Sequence, residues 1–235
     1  MCIRDRLICG DDLVFINDFN LQYNAFATSG PAKGLHVDCN SEFALKNKYL
    51  FHKDYMFAKV GLYLQDNTKE YGGGIDVVPG SHKVWTRFPI SILNYFFTRI
   101  YLRLYKLNNK KRIKVPIKSG SAVIFDSRLL HGSSKPCNIE SNDNNLQFNF
   151  ENLKFTLYMD VCTTGNEIKF LDNSYKRALA EKSLSSSKDK LFFSRYLSYK
   201  FPEDFPDYYR TLVEENKIQV ASLDKDRLEA LNEDS

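Results

Sequence analysis

The sequence predicts a mainly β fold, an antiparallel β-sandwich or jelly roll with flanking helices. Short segments alternate apolar and polar residues with a period of two, Gly- and Pro-rich turns separate them, and helical spacing is confined to a few stretches. The 235 residues suffice for one domain with a substantial core. We expect a single domain, 1–235, with its core at about 13–165, a helical insertion at about 84–112 and a helical C-terminal region at about 166–235.

The first strands are predicted between residues 13 and 66. Residues 13–28 read as one or two strands, and "YMFAKVGLYLQD" is the clearest strand of the chain. One face of this strand is polar and aromatic and suits a cavity, while the other is aliphatic and suits a core layer. The polar face carries Phe57, Lys59, Gly61, Tyr63 and Gln65, and the aliphatic face carries Ala58, Val60, Leu62 and Leu64.

The pattern changes to helical spacing at residues 89–107. The apolar stripe of this segment is formed by Leu93, Phe96, Phe97, Ile100 and Leu104, and the opposite face by Arg99, Arg103 and Lys106. We expect a lid or flanking helix that packs its apolar stripe on the sheet. The alternative is that its basic face contacts a membrane surface or an anionic substrate.

Strands resume after this helix. "KVPIKSGSAVIFDSRLLHGSS" is read as strand, with "SAVIFDSRLLHGS" as one strand that His131 closes and that runs straight into a Gly-Ser turn, and "LKFTLYMDVC" is a further alternating strand. On the latter, Lys154, Thr156, Tyr158 and Asp160 share one face. Beyond Thr164 the chain becomes helical and polar, with a linker-like "SLSSSKDK" and an acidic terminal helix.

Composition and cysteine usage restrict the class of protein. The formal charge of +4 is mild, and no zinc-knuckle, RNA-recognition or Walker-type motif is present, so no nucleic-acid partner is expected. Five cysteines without CxxC spacing indicate reduced thiols in a cytoplasmic protein. No apolar run approaches the roughly 20 residues of a transmembrane helix. The opening "MCIRDRLICG" lacks a signal-peptide core and fits poorly with the segment after it, which suggests a truncated or imperfectly started reading frame.

Two of the four histidines lie in His-x-Asp pairs, His36 with Asp38 and His52 with Asp54. Residues i and i+2 of a strand share a face, so either pair can bind one ion. A histidine from a distant strand would complete the two-histidine, one-carboxylate triad of non-haem Fe(II) oxygenases. His131 suits this role better than His82, which lies inside a tight "PGSH" turn. Spacing alone favours the first pair only modestly.

Three blocks occur in order along residues 20–162, namely "LHVD", "LYLQDNTKEYGGGIDVVPGSH" and "GSAVIFDSRLLHGSS". In this order they resemble the phytanoyl-CoA dioxygenase family of Fe(II)- and 2-oxoglutarate-dependent oxygenases. The resemblance implies a double-stranded β-helix (jelly roll) with Fe(II) bound by His36, Asp38 and His131. The family's His-x-Asp lies well before the strand that leads to PGSH. His36 and Asp38 fit this spacing, whereas His52 lies too close to that strand.

The resemblance also implies where 2-oxoglutarate, the cosubstrate, would be anchored. The family's usual anchor is an arginine on the strand after the second histidine, with Ser or Thr two residues later. Here Lys154 and Thr156 hold those places, and a lysine pairs with a carboxylate as a point charge rather than a fork. Lys59 is the rival anchor, because related jumonji-type oxygenases use a lysine on a comparable strand. Tyr63 is expected to line the same pocket.

The implied activity is hydroxylation of a small-molecule substrate by dioxygen. Related halogenases replace the carboxylate ligand with a small residue, so the intact Asp38 favours hydroxylation. The basic helix favours an anionic substrate. Two alternatives stay open, a non-catalytic jelly-roll binding module and an iron-dependent epimerase or desaturase on the same scaffold, since fold alone does not determine function.

Overall fold

The structure is a computed structural model. It describes residues 12–24, 35–38, 51, 57–66, 74–87, 93, 96–97, 100–101, 103–104, 112–134, 154–182 and 202–232. The chain divides into two compact units, Asn20–Tyr158 and a second unit made of Met1–Phe19 with Met159–Ser235. The single domain of the sequence analysis stays a prediction.

The described residues form two sheets and a few helices, as a mainly β fold requires. The strands are β1 Leu13–Asn24, β2 Phe57–Tyr63, β3 Ile75–Val77, β4 Ile113–Val115, β5 Ala122–Asp126, β6 His131–Ser133, β7 Lys154–Thr163 and β8 Gln219–Ala221. The α-helices are α1 Glu167–Lys182, α2 Asp207–Glu215 and α3 Lys225–Asn232, and short 3-10 helices cover Ser81–Thr86 and Pro202–Asp204. In the part of the chain that is described, no helix is long and apolar enough to cross a membrane.

The Asn20–Tyr158 unit contains strands of both sheets. One sheet has the local order β5-β2-β7, and the other has the order β4-β3-β6. β2 and β5 are antiparallel, with Lys59 opposite Phe125 and Gly61 opposite Val123. Strand β3 is antiparallel to both of its neighbours. A core cluster of Tyr63, Ile75, Ile117 and Phe125 lies in this unit.

The aliphatic face of β2 is not the buried core layer that the sequence analysis expected. Phe57 and Tyr63, on the mixed face, are buried, whereas Leu64 on the aliphatic face is 59% exposed. Ala58, Val60 and Leu62 are only partly buried. A period of two separates the faces of a strand but does not say which one is covered, and here aromatic rings cover the face that carries Lys59 and Gly61.

The segment before His131 forms two strands instead of one. β5 ends at Asp126, a turn closed by the Leu129 N–H donating to the Asp126 carbonyl (2.8 Å) comes next, and His131 begins β6. The Gly-Ser turn expected after His131 is therefore strand. The Pro-Gly turn after β3 is present as predicted, and Gly80 occupies the left-handed region with φ 77°, which glycine adopts without steric cost.

The helical insertion is described in part. Residues 93, 96–97, 100–101 and 103–104 are helical, and its full extent, about 84–112, stays a prediction. The apolar stripe is not packed on a sheet, because all five of its residues are exposed, by between 36% and 62%. These are Leu93, Phe96, Phe97, Ile100 and Leu104.

The second unit joins the first strand to the C-terminal region. Its sheet has the local order β7-β1-β8, and β8 is parallel to β1, with Phe15 opposite Val220. The Asn17 side-chain amide donates to Ser222 Oγ over 3.1 Å. Arg227 of α3 contacts α1, where its guanidinium lies 3.4 Å from Asp172 and over the Tyr175 ring. The predicted helical C-terminal region thus contains helices and one strand.

Gly61 provides a first test of how closely the strands pack. A Cβ at this position would lie 2.8 Å from Cε1 of Tyr158 and 3.2 Å from Cε2 of Tyr63. Gly61→Ala should lower the free energy of unfolding by about 1–3 kcal/mol, because overpacking outweighs the conformational entropy that alanine saves. Urea denaturation measures this change.

A Tyr158→Leu background supplies the control. Removing the phenol ring should reduce the cost of Gly61→Ala, because the ring is the group that an alanine would meet. Equal costs in both backgrounds, or stabilisation by Gly61→Ala alone, would contradict close packing at this position.

Candidate metal centre

His36 and His131 are directly opposite each other in an isolated antiparallel bridge. The His36 N–H donates to the His131 carbonyl over 2.7 Å, and the His131 N–H donates back to the His36 carbonyl over 2.9 Å. Opposed residues of an antiparallel pair project their side chains from the same face. The two imidazole rings accordingly lie with their centroids 4.5 Å apart.

Neighbouring residues fix the backbone beside this bridge by hydrogen bonds. The Val78 N–H donates to the Leu130 carbonyl (2.9 Å), and the Leu130 N–H donates to Ser81 Oγ (2.8 Å). The residues that directly precede the two histidines, Leu35 and Leu130, form a buried cluster with Val78. The "VPGSH" motif therefore acts here through Val78 and Ser81, which fix the backbone next to His131.

Asp38 brings a carboxylate to the two histidines. Its backbone N–H donates to the Ser127 carbonyl over 3.2 Å, which ties this residue to the turn between β5 and β6. Oδ1 lies 3.7 Å from Nε2 of His36, and Oδ2 lies 3.6 Å from Nε2 of His131. One ligand atom from each of these three residues lies within 4.8 Å of the others.

This donor set fits a divalent metal ion. Among the described residues, Asp38 Oδ2 is buried without a hydrogen-bond partner, and the nearest described ammonium, that of Lys59, lies 3.8 Å away, so a bound cation would supply the direct contact that this carboxylate oxygen lacks. Separations of 3.6–3.7 Å are too long for hydrogen bonds. They suit donors that share one ion about 2.0–2.2 Å from each. Two imidazoles and one carboxylate are the ligands that non-haem Fe(II) oxygenases use.

His131 is held in the form that a metal ligand requires. Its Nδ1 lies 2.9 Å from the Leu129 carbonyl, so Nδ1 carries the proton and Nε2 presents its lone pair toward Asp38. Burial lowers the pKa of His131, and the nearby Asp38 opposes this shift only in part. The imidazole is therefore neutral at pH 7.

A lysine and a pair of tyrosines complete the described surroundings of the cluster. Lys59 Nζ lies 3.8 Å from Asp38 Oδ2, and the lysine side chain is 17% exposed. The hydroxyls of Tyr63 and Tyr158 lie 3.1 Å apart, and Tyr158 also bonds with the buried Thr156. Burial raises the pKa of both tyrosines, so both phenols stay protonated.

The turn that carries Ser127 is fixed by a fork between Asp126 and Arg128. The guanidinium donates to both carboxylate oxygens, at 3.0 and 2.8 Å, and the Arg128 N–H donates to Oδ1 at 2.8 Å. Trp85 Nε1 donates to the Arg128 carbonyl over 3.2 Å. Arg128 is thus held as a structural residue of the turn that positions Asp38 and His131.

The structure brings together most of the predicted site residues. His36, Asp38 and His131 form the cluster, and Lys59 lies beside the Asp38 carboxylate. Tyr63 and Thr156 are both hydrogen-bonded to Tyr158. For Lys154 only the backbone, at the start of β7, is described. His52 and Asp54 lie outside the described residues. Gln65 Nε2 donates to the Phe155 carbonyl instead of lining the cluster.

The sequence analysis missed two neighbours of the cluster. Tyr158 was placed on the correct strand face but not assigned to the site, although its i+2 spacing from Thr156 carried that information. The Phe125 ring, with its centroid 4.6 Å from that of His131, was missed entirely. Its contact depends on the β5–β6 turn, which strand alternation does not reveal.

These features define the chain as a β-sheet protein with a candidate mononuclear metal centre. The family model described as phytanoyl-CoA dioxygenase (PhyH) matches residues 4–136, more than half of the chain. The chain belongs to the phytanoyl-CoA dioxygenase family. Fe(II) and 2-oxoglutarate, the cofactors that the resemblance implies, are the cofactors of this family.

Several solved structures are similar to the chain at low identity. HygX from Streptomyces hygroscopicus with nickel and 2-oxoglutarate bound is 16% identical, with 69% of this chain and 61% of that chain covered and a TM-score of 0.44. A non-haem monooxygenase, the ThoJ–Ni complex, is 16% identical (67% and 47% covered, TM-score 0.42). The epimerase SnoN from nogalamycin biosynthesis is 13% identical (68% and 50% covered, TM-score 0.40). This chain spans less than two thirds of the length of each, and no curated protein matches it.

The buried His131 and the partly buried His82 should make stability depend on pH. Burial lowers the pKa of both His131 and His82 from 6.5. Below about pH 6.5 the unfolded chain therefore binds more protons than the folded one, and stability falls as pH falls. Urea unfolding of the metal-free protein between pH 7.5 and 5 should show this loss. Its slope is at most about 1.4 kcal/mol per pH unit for His131, and His82 contributes less because solvent screens a partly exposed group.

His131→Gln and His82→Gln should each flatten this pH profile, and the double variant should flatten it most. The matched substitutions keep a polar side chain and remove only the titrating group. If the double variant and the wild type lost stability in parallel as pH falls, these two histidines would not be the source of the pH dependence.

Proposed function

We propose that this protein is an Fe(II)- and 2-oxoglutarate-dependent dioxygenase that hydroxylates a small-molecule substrate. The observation that carries the proposal is the cluster of His36, Asp38 and His131, whose ligand atoms lie within 4.8 Å of one another. When bound, the metal and 2-oxoglutarate supply the activation of dioxygen. In the proposal the two sheets are those of a jelly roll.

Each residue of the cluster has a distinct task. His131 presents Nε2 because Leu129 binds its other nitrogen, and the backbone bridge holds His36 in register with it. Asp38 supplies the negative charge that favours a divalent ion over a proton. Three protein ligands leave other coordination positions open for a cosubstrate, as the two-histidine, one-carboxylate triad does elsewhere.

The charges of the described site suit a dicarboxylate cosubstrate. Asp38 compensates one of the two charges of a divalent ion, and the ammonium of Lys59, 3.8 Å from Asp38, adds one more. The resulting excess of two positive charges matches the two negative charges of 2-oxoglutarate. A partly buried ammonium binds a carboxylate more strongly than an exposed one, because water screens it less.

Lys59 is the anchor that the geometry supports best for the distal carboxylate. Its ammonium lies at the cluster and is 17% exposed. Tyr63 and Tyr158 stay protonated and can donate hydrogen bonds to a carboxylate. The Thr156 side chain is hydrogen-bonded to Tyr158. Lys154, on the strand that carries Thr156, is the competing anchor.

The proposal also includes surroundings that exclude water. Tyr63 is 1% exposed, Thr156 1% and Phe125 7%, so these residues would shield a cosubstrate beside Lys59 from solvent, whereas the His36 side chain is 42% exposed and marks an open side of the cluster. Such exclusion strengthens every charge interaction within the site. The substrate itself is proposed to be a small, anionic molecule, and a reducing cytoplasm, as the cysteine pattern predicts, is the proposed compartment.

An anaerobic titration with Fe(II) and 2-oxoglutarate tests the proposal directly. The wild type should develop the visible charge-transfer band of the iron chelate, and Fe(II) at 100 times its Kd should add about 2.7 kcal/mol to the free energy of unfolding. His131→Ala should abolish both signals. His82→Ala, which removes a histidine outside the cluster, should retain them.

The same titration separates the proposal from a non-catalytic binding module. Metal-dependent stabilisation without any chelate band would favour the module or another cosubstrate. Retention of both signals in His131→Ala would place the metal elsewhere and overturn the assignment of the cluster.

The choice between the two lysines is tested by cosubstrate affinity. Lys59→Met should weaken 2-oxoglutarate binding about 10- to 100-fold, as expected when one charge-assisted contact of about 1.5–3 kcal/mol is lost. Lys154→Met should change it by less than about threefold. The chelate titration at fixed Fe(II) gives both values, and a reversed result would make Lys154 the anchor.

A further inference from the structure

One segment of this chain carries basic residues and no acidic ones. Residues 77–125 contain ten of the 33 Lys and Arg and none of the 29 Asp and Glu, so the remainder of the chain is acidic by six charges. The segment includes the partly described helix and the basic stretch "NNKKRIK", whose last two residues belong to β4. An isolated basic run is usually only a solvated face, so the charge alone indicates no partner.

The apolar stripe of the same segment supplies the second observation. Leu93 is 41% exposed, Phe96 62%, Ile100 41% and Leu104 55%. In a helix these positions fall on one side, since they are three, four and four residues apart. Twelve large hydrophobic residues are exposed in the described part of the chain, and five of them, counting Phe97, belong to this stripe.

The helical pattern of the sequence places basic residues on the face opposite this stripe. Arg103, which directly precedes Leu104, is exposed, and the sequence adds Arg99 and Lys106 on the face opposite the stripe. Arg87 reaches the helix by a hydrogen bond of 2.9 Å to the Tyr101 hydroxyl. An apolar stripe with Lys and Arg on the remaining face is the pattern of a helix that lies in a membrane interface.

We propose that the helix around residues 93–104 docks on an anionic phospholipid bilayer. Leu93, Phe96, Ile100 and Leu104 would enter the boundary between headgroups and acyl chains, and the basic residues of the helix, of which Arg103 is described and exposed, would bind the phosphate and carboxylate groups of the lipids. The docking does not depend on the proposed oxygenase activity, because no residue of the stripe belongs to the metal cluster.

Charge complementarity favours a bilayer over other occupants of the stripe. A second copy of this chain would bring ten further cations against the same segment, and this repulsion opposes self-association. A nucleic acid would use the cations, but it offers no apolar surface for Leu93, Ile100 and Leu104. An anionic bilayer satisfies both features at once.

Co-sedimentation with vesicles tests this proposal on the intact chain. The protein should bind vesicles of phosphatidylcholine containing about a third phosphatidylserine, and should bind pure phosphatidylcholine at least tenfold more weakly, because each Lys or Arg near an anionic surface contributes about fivefold in affinity. Raising the salt concentration should release the protein.

Variants separate the apolar from the basic contribution. Phe96→Ser with Ile100→Ser should reduce binding at least tenfold, and Arg103→Glu should reduce it about fivefold or more. Matched controls change exposed residues of α1, Ile168→Ser with Leu179→Ser for the apolar pair and Lys176→Glu for the charge. These controls should bind like the wild type, and circular dichroism checks that every variant is folded.

A fluorescent reporter gives an independent measurement. The single tryptophan, Trp85, is 2% exposed and hydrogen-bonded, so its emission should not respond to vesicles. In Phe96→Trp the added indole should shift its emission to shorter wavelengths on anionic vesicles only.

Several results would overturn the proposal. These are equal binding to neutral and anionic vesicles, no binding to either, or an unshifted emission of Phe96→Trp on vesicles that the protein does bind. A dimer that light scattering detects and that Phe96→Ser with Ile100→Ser abolishes would instead identify a second copy as the occupant.

Discussion

The candidate site depends on two reciprocal backbone hydrogen bonds between His36 and His131. The segments that carry these residues are 95 positions apart in the sequence, and the bridge places both imidazoles on one face without any contribution from a metal. Ser81 and Ser127 hold the flanking backbone, so the position of each ligand is set by main-chain contacts. A site positioned in this way is ordered before an ion arrives, which reduces the conformational entropy lost on binding.

The charges of the cluster explain how a few ionisable groups can accept a divalent cation. Asp38 is held near two imidazoles and one ammonium, and the His131 imidazole stays neutral because it is buried. The cluster can therefore accept a divalent cation without first losing a proton from His131. The residues that surround it, Tyr63 and Tyr158, add hydrogen-bond donors but no charge.

The sequence carried more information on the ligands of the cluster than on the packing around them. The pattern of His-x-Asp pairs and a distant histidine indicated the kind of donor set, but it left two pairs open, and the order of motifs shared with the family selected His36 and Asp38 over His52 and Asp54. The buried face of β2 and the strand break before His131 could not be predicted, since both depend on contacts with distant segments. Nor could the exposure of the apolar stripe, because a helical period identifies a face without identifying the surface that covers it.

The parallel pairing of β1 with β8 has a consequence for synthesis of the chain. Asn17 and Ser222, which are hydrogen-bonded, are separated by 205 positions, so β1 is translated long before its neighbour exists. Until residues 219–221 leave the ribosome, one edge of β1 stays open to pairing with other nascent chains. Co-translational folding of this unit must therefore be completed late, and chaperone protection of the N-terminal strand would matter most during elongation.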